Sequence, residues 1–222
     1  LTDNQKNAFT SGGEGDRFFE RNKSAYQKMA SSSELGPASR LYQPYLKAGH
    51  RILEIGSSSG TNLSLLTRGI GIDAYGIDPS ETAVIKGHIE FPELHLSVGT
   101  ADQLDFPDGY FDFILFGFCL YLVDRTLLTK TIAEADRCLK DGGHIAITDF
   151  RPDVPTTRPY KHFEGLISYK YPYEQIFLAF PHFQLVESRT FSHSEDAYHA
   201  DPQERVSASV IRKSLQEGYQ QL

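Results

Sequence analysis

The chain has no tryptophan, one methionine and two cysteines in 222 residues. Cys119 and Cys138 fit no disulfide framework and no metal-ligand spacing, so a stapled scaffold and a cysteine-held metal are excluded. Free cysteine behaves as a small buried hydrophobe, and both are read as core thiols. No apolar run approaches the roughly 18 residues that a membrane span requires. There is also no excess of positive charge: 22 Lys and Arg stand against 29 Asp and Glu, a net charge of −7. That balance argues against neutralising a nucleic-acid backbone as the main task, and no nucleic-acid partner is expected. No basic segment followed by an apolar one opens the chain, so a reducing cytoplasm is the expected location. Leu1 opens it and Met29 is the only methionine, which predicts a processed or trimmed start.

What is present is a globular balance of 40% apolar and 23% charged residues, enough for one α/β core. Residues 1–15 are polar and glycine-rich without an apolar period, and are expected to form an arm or loop. Phe18, Phe19, Tyr26 and Met29 recur at near-helical spacing over 17–29, and 37–46 reads as a second short helix with Pro37 in its first turn. Together residues 1–46 make an arm and cap helices ahead of a core spanning 47–222.

In that core, apolar runs at 51–55, 74–78, 94–98, 111–116 and 144–148 alternate with helical patterns starting near Gly60, Ser80 and Asp124. Strict alternation implies right-handed crossovers and a doubly wound α/β fold with a mostly parallel sheet. Two further runs, 183–188 and 206–212, have no helical period between them and read as an antiparallel pair at the sheet edge. Residues 150–171 carry Pro152, Pro155 and Pro159 among aromatics and are expected to form a lid-like insertion.

The strongest local signal is the run from Arg51 through Glu54, Gly56, Ser57, Ser58, Ser59 and Gly60 to Asn62, a strand entering a Gly/Ser turn and then a helix. Small residues let the backbone turn sharply and a ligand approach, and the free N–H groups of the helix start face that ligand. Glu54 ends the first strand, Asp78 the second, where nucleotide-binding α/β folds hydrogen-bond a ribose, and Asp102 follows the third, where it suits an exocyclic amine. Alone, each acid reads equally as a helix cap; in series around one glycine-rich turn they point to an adenosyl ligand.

In order, the first-strand motif, Asp78, Ala101-Asp102, Phe111-Asp112-Phe113-Ile114 and Leu139-Lys140-Asp141-Gly142-Gly143 resemble the class I S-adenosylmethionine-dependent methyltransferases, from about residue 40 to the C-terminus. The resemblance implies a seven-stranded Rossmann-like sheet of order 3-2-1-4-5-7-6 with an antiparallel last strand. It implies S-adenosylmethionine as cofactor and S-adenosylhomocysteine as product, with Glu54, Gly56 and Gly60 around the amino-acid part, Asp78 on the ribose, and Ala101 and Asp102 at the adenine. Ser57, Ser58, Asn62, Pro79, Thr100, Phe116 and Gly117 complete the expected cofactor set. One departure stands out: the family usually has glycine where this chain has Ser58.

Gly56-Ser57-Ser58-Ser59-Gly60 also spells the nucleophile elbow of α/β-hydrolases, with Ser58 as nucleophile and His162, His182, His193 or His199 as base. That rival leaves Glu54 and Asp78 without a role. A third reading keeps the fold as a non-catalytic cofactor-binding or scaffold subunit.

For methyl transfer, in-line placement and exclusion of water matter more than acid–base groups. Tyr121 falls where many relatives carry a histidine facing the acceptor. His162 is the expected base, since imidazole titrates near neutral pH. Tyr26, Phe118, Arg151 and Tyr160 are the expected substrate contacts, with Arg158 and Glu164 nearby in the insertion. The segment after the fourth strand lacks the Asn/Asp-Pro-Pro-Tyr and Pro-Cys patterns of nucleic-acid methylation. The expected acceptor is a small molecule methylated on oxygen or nitrogen, such as a sugar, nucleotide-sugar, quinone precursor or secondary metabolite. No metal is expected, and the assembly is read as a monomer or homodimer.

Overall fold

A computed structural model describes residues 4–32, 34–192 and 197–219. The chain opens with α1 (Asn4–Phe9) and α2 (Glu14–Ser31), followed by α3 (Pro37–Tyr42) and a 3₁₀ turn at Gln43–Tyr45. The segment expected to be a structureless arm is thus helical. Gln5 and Ala8, three residues apart, are buried, but one and a half turns are too short to display a period in sequence.

The core then alternates as expected: β1 (Arg51–Ile55), α4 (Thr61–Thr67), β2 (Asp73–Asp78), α5 (Glu81–Glu90), β3 (His95–Val98), β4 (Phe111–Gly117), α6 (Leu128–Cys138) and β5 (Leu139–Phe150). Within β1 and β4 successive residues face opposite sides of the sheet. Leu53, Ile55, Ile114 and Phe116 join one apolar cluster, while Ile52, Phe113 and Leu115 join the other with Leu63 and Leu66 of α4. Burial on both faces is what a parallel strand with helices above and below requires.

Residues 150–171 contain the hairpin β6 (Thr156–Pro159) and β7 (Ile167–Lys170), paired antiparallel. After α7 (Glu174–Leu178) come β8 (Phe183–Ser192) and β9 (Arg205–Lys213), both longer than the apolar runs suggested, and α8 (Leu215–Gly218). The seven-stranded sheet runs β3-β2-β1-β4-β5-β9-β8. With the hairpin strands set aside this is the expected order 3-2-1-4-5-7-6, and β9 enters antiparallel to both β5 and β8.

The cap helices do not stand apart from this core. Tyr42 is buried at 1% exposure, its hydroxyl 2.7 Å from Thr148 Oγ1 and its ring 6.2 Å from that of Phe113. The amino end of α2 docks on that of α5: Asp16 Oδ1 accepts from Ser80 Oγ at 2.6 Å and from Thr82 N–H at 3.0 Å. Among the described residues no helix is long and apolar enough to cross a membrane, and no cluster of three or more His, Cys, Asp or Glu is placed to hold a metal.

Candidate functional site

The carboxyl ends of β1, β2 and β4 open into a cleft, and the turn after β1 forms its floor. Gly56, Ser58 and Gly60 all take left-handed backbone, with φ of 77°, 50° and 78°. Gly56 and Ser57 N–H donate to Ile77 O at 2.9 and 3.0 Å, and Ser58 N–H donates to Asp78 Oδ2 at 2.8 Å, so the turn is fastened to the end of β2. A left-handed residue other than glycine costs roughly 1–2 kcal/mol. Serine therefore adopts the conformation that the family reserves for glycine, restrained by the Asp78 carboxylate. A Cβ on Gly56 would lie 2.8 Å from Cys119 Cβ, so only glycine admits the loop after β4 this close.

Three oxygens on this turn are buried without a hydrogen-bond partner: Glu54 Oε2, Ser57 Oγ and Ser58 Oγ. Glu54 Oε1 accepts from Asn62 Nδ2 at 2.7 Å. Burial raises the Glu54 pKa to about 8, opposed by the Asn62 hydrogen bond and reinforced by the Asp78 charge. A buried carboxylate with one idle oxygen suits a cationic partner such as an α-ammonium group. Asp78 accepts Ser58 N–H and Ser80 N–H, the latter at 2.9 Å, and burial raises it to about 6. Each of its oxygens keeps a lone pair, as two vicinal hydroxyls need.

At the far end of the cleft, Asp102 Oδ2 is held by Lys6 Nζ at 2.8 Å, with Lys130 Nζ 3.7 Å away. Against the upward push of burial, the Lys6 ammonium holds the Asp102 carboxyl below its ordinary range. Gln5, Lys6 and Phe9 of α1 line this end, and Gln5 Nε2 donates to Leu122 O at 2.6 Å. Phe18, Phe19 and Tyr26 of α2, with Phe118, also line the cleft, the Phe18 ring 6.4 Å from that of Phe9. Phe118 is, after Ser58, a second left-handed residue other than glycine among the described residues, with φ of 52°.

Of the expected cofactor set, Gly56, Ser58, Asp78, Pro79, Thr100, Ala101, Asp102 and Gly117 line the cleft. Glu54 lies buried against Gly117, where an added Cβ would come 2.9 Å from Glu54 Oε1, and Asn62 holds Glu54 from α4. Ser57 and Phe116 are buried, and Gly60 caps α4. A family model described as a methyltransferase domain matches residues 26–194.

The chain belongs to this methyltransferase family.

Its sheet is that of the class I S-adenosylmethionine-dependent enzymes. The chain is 30% identical over 132 residues to a demethylmenaquinone methyltransferase from Beutenbergia cavernae, covering 60% of this chain and 50% of the relative. It is 28% identical over 116 residues to a ubiquinone/menaquinone biosynthesis C-methyltransferase from Vibrio parahaemolyticus, covering 49% and 44%. The chain thus spans about half the length of the curated relatives it matches. Among solved structures, the fold is shared with the 1,6-didemethyltoxoflavin-N1-methyltransferase of Burkholderia thailandensis, bound to 1,6-didemethyltoxoflavin and S-adenosylhomocysteine. The TM-score is 0.69 at 17% identity, covering 92% of this chain and 88% of that one.

The expected catalytic and substrate residues fall into two groups. Tyr26 and Phe118 line the cleft. Tyr121 lies just behind it, its ring 5.1 Å from Phe150 and its N–H donated to Asp149 Oδ2 at 3.2 Å. Burial, then the Asp149 charge, drives the Tyr121 pKa far up, so this phenol keeps its proton. His162 is exposed and meets the Tyr160 ring at 5.4 Å, outside the cleft. Arg151 pairs with Glu174 at 3.6 Å, also outside it. Among the described residues no histidine lines the cleft around Ser58; His193 lies outside the described residues. Cys138 is a core thiol as expected; Cys119 is only half-buried and lines the cleft, because the chain has left β4 before reaching it.

Four contributors went unread in the sequence. Lys6, Gln5 and Phe9 belong to the segment taken for an arm. Asp149, at 2% exposure, follows the same rule that singled out the other acids, an acid at the carboxyl end of a strand, here β5. Burial raises it to about 7, and it accepts the N–H groups of Tyr121 and Phe150, fixing the 3₁₀ turn at Leu120–Leu122 that borders the cleft.

The hairpin is tied to α2 through Glu14, whose side chain is fully buried. Arg17, Arg21 and the Tyr160 hydroxyl all donate to its carboxylate, the last at 3.0 Å. Tyr160→Phe removes one donor from a buried charge and is expected to destabilise the protein by about 1–3 kcal/mol. Limited proteolysis should then cut faster within 156–170 than in the parent; equal cutting rates would show that Glu14 does not restrain the hairpin.

Proposed function

We propose that this chain transfers a methyl group from S-adenosylmethionine to an oxygen or nitrogen of a small acceptor with an apolar, aromatic body. The observation that carries the reading is the series of acids at the ends of successive strands, bordering one cleft that aromatic side chains also line. The idle, buried Glu54 Oε2 fits an amino-acid ammonium, Asp78 fits ribose hydroxyls, and Asp102 with Ala101 fits the adenine edge. The bound cofactor supplies an electrophilic sulfonium methyl group.

The chain's own residues then bind, orient and exclude water. Phe18, Phe19, Tyr26 and Phe118 form an apolar wall that shields the reacting atoms and stacks on a planar acceptor. Tyr26, whose phenol burial keeps protonated, donates a hydrogen bond rather than taking a proton. With Tyr121 also protonated and His162 outside the cleft, the site favours acceptors that need no strong base, such as an acidic phenol or a ring nitrogen. The names of the quinone-pathway relatives favour a second reading, methylation of a carbon on an activated aromatic ring.

The test is calorimetric titration with S-adenosylmethionine and S-adenosylhomocysteine, then an acceptor screen with methyl-labelled cofactor and NMR of the product. Micromolar binding and label on oxygen or nitrogen is the expected result. Label on carbon selects the second reading, binding without turnover points to a scaffold role, and no binding by folded protein rejects the cofactor assignment.

A further inference from the structure

A second cavity, of about 300 Å³, lies at the amino ends of β1, β4 and β5, the opposite side of the sheet from the cofactor cleft. Four basic side chains from separate stretches reach it: Lys47 and His50 from the turn before β1, Lys140 and His144 from β5. Two carboxylates also border it, but both are engaged. Asp112 Oδ1 binds Lys140 Nζ at 2.6 Å and its Oδ2 accepts Arg51 N–H at 2.9 Å, while Asp141 Oδ1 accepts Leu215 N–H at 2.8 Å.

The basic groups are less well served. Lys47, His50 and His144 make no side-chain hydrogen bond or ion pair among the described residues, and His50 Nδ1 is buried without a partner. The His144 ring lies 5.2 Å from that of Tyr45, tilted at 47° to it, and the Tyr45 hydroxyl is anchored on Glu187 at 3.1 Å, so this wall is fixed before any ligand arrives.

We propose that this cavity binds a phosphate group, free or as a monoester, between Lys47, His50, Lys140 and His144. A buried imidazole nitrogen without a partner and an idle ammonium supply charged donors of the kind that recognise phosphate oxygens. Lys140 keeps two further N–H groups beyond its bond to Asp112.

The electrostatics agree with this placement. His144 titrates below its ordinary value, through burial first and then through Arg212, His50 and Lys47. Facing it from the other elements are Arg212 on β9, itself paired with Glu217 at 2.6 Å, and the Tyr45 ring; facing His50 are Asp112, Lys140 and Arg51. A bound phosphate anion opposes that field, so phosphate and a proton bind His144 cooperatively.

The experiment is an NMR titration of the histidine C2–H resonances of the full chain with inorganic phosphate, at constant ionic strength and at about pH 6, where imidazole titrates. His50→Gln and His144→Gln supply the assignments. The expected result is a saturable shift of both resonances. Lys47→Ala, an exposed substitution that leaves the fold intact, should weaken the response several-fold. A parallel arm with glycerol phosphate distinguishes the sources: tighter binding there assigns the site to a phosphorylated metabolite, equal binding to the free ion. Shifts no larger than those given by potassium chloride, or a response unchanged in a folded Lys47→Ala/His144→Gln double variant, would overturn the proposal. Neither readout depends on methyl transfer.

Discussion

Asp78→Ala should weaken S-adenosylhomocysteine binding by at least about 100-fold, read by calorimetry on the folded variant. A hydrogen bond to a charged acceptor contributes about 1.5–3 kcal/mol, and two ribose hydroxyls together reach or exceed that fold-change. The carboxylate has a second task that adds to the loss. Asp78 Oδ2 holds Ser58 N–H, and Ser58 is the one non-glycine among the left-handed positions of the turn. Without that restraint the turn relaxes and the floor of the cleft shifts. Asp78→Asn, which keeps an acceptor oxygen but no charge, should fall between the two, at roughly tenfold. Unchanged affinity in the alanine variant would remove Asp78 from the site and with it the adenosyl reading of the cleft.

The second large effect concerns stability against pH. Burial lifts three carboxyls that ordinarily titrate near 4: Glu54 to about 8, Asp149 to about 7 and Asp78 to about 6. Between about pH 4 and pH 8 the folded chain therefore holds more protons than the unfolded one, and stability falls as pH rises through that window. His144 acts oppositely, since its lowered value makes folding more favourable as pH rises toward 6.5. It is one group against three. Glu14, Asp16, Asp102, Asp112 and Glu134 are all lowered, and their contribution is lost only on acidification below about pH 4. The expected profile peaks at about pH 4 and loses on the order of 10 °C in melting temperature by about pH 8. S-adenosylhomocysteine should flatten it, because an ammonium beside Glu54 favours the ionised carboxylate. Scanning calorimetry across this range, with Glu54→Gln in parallel, tests the point; a flat or rising profile for the ligand-free protein would show that these acids are not held protonated.

The core was legible because its signal is redundant. β1 and β4 are apolar on both faces, each is followed by a small-residue turn or a helix start, and the acids fall at strand ends by simple counting. The Gly/Ser turn was equally clear, although only the backbone angles explain how Ser58 replaces glycine. What escaped was of two kinds. α1 is too short to show a period, so its placement depends on contacts more than ninety residues away, such as Lys6 with Asp102 and Gln5 with Leu122. The position of His162 depends on how the β6–β7 hairpin turns, which composition does not encode; residue chemistry alone named a base that the hairpin carries outside the cleft. Asp149 satisfies the strand-end rule, but it lies one residue beyond the apolar run 144–148, which is shorter than β5.

The placement of α1 bears directly on how this protein is handled. Residues 5, 6 and 9 form part of the cleft wall, so a chain shortened to the start of α2 opens one side of the cleft. It also loses the Lys6–Asp102 ion pair and the Gln5–Leu122 hydrogen bond. Affinities measured on full and shortened protein should therefore differ, and protein that retains α1 is the proper starting material for every binding assay.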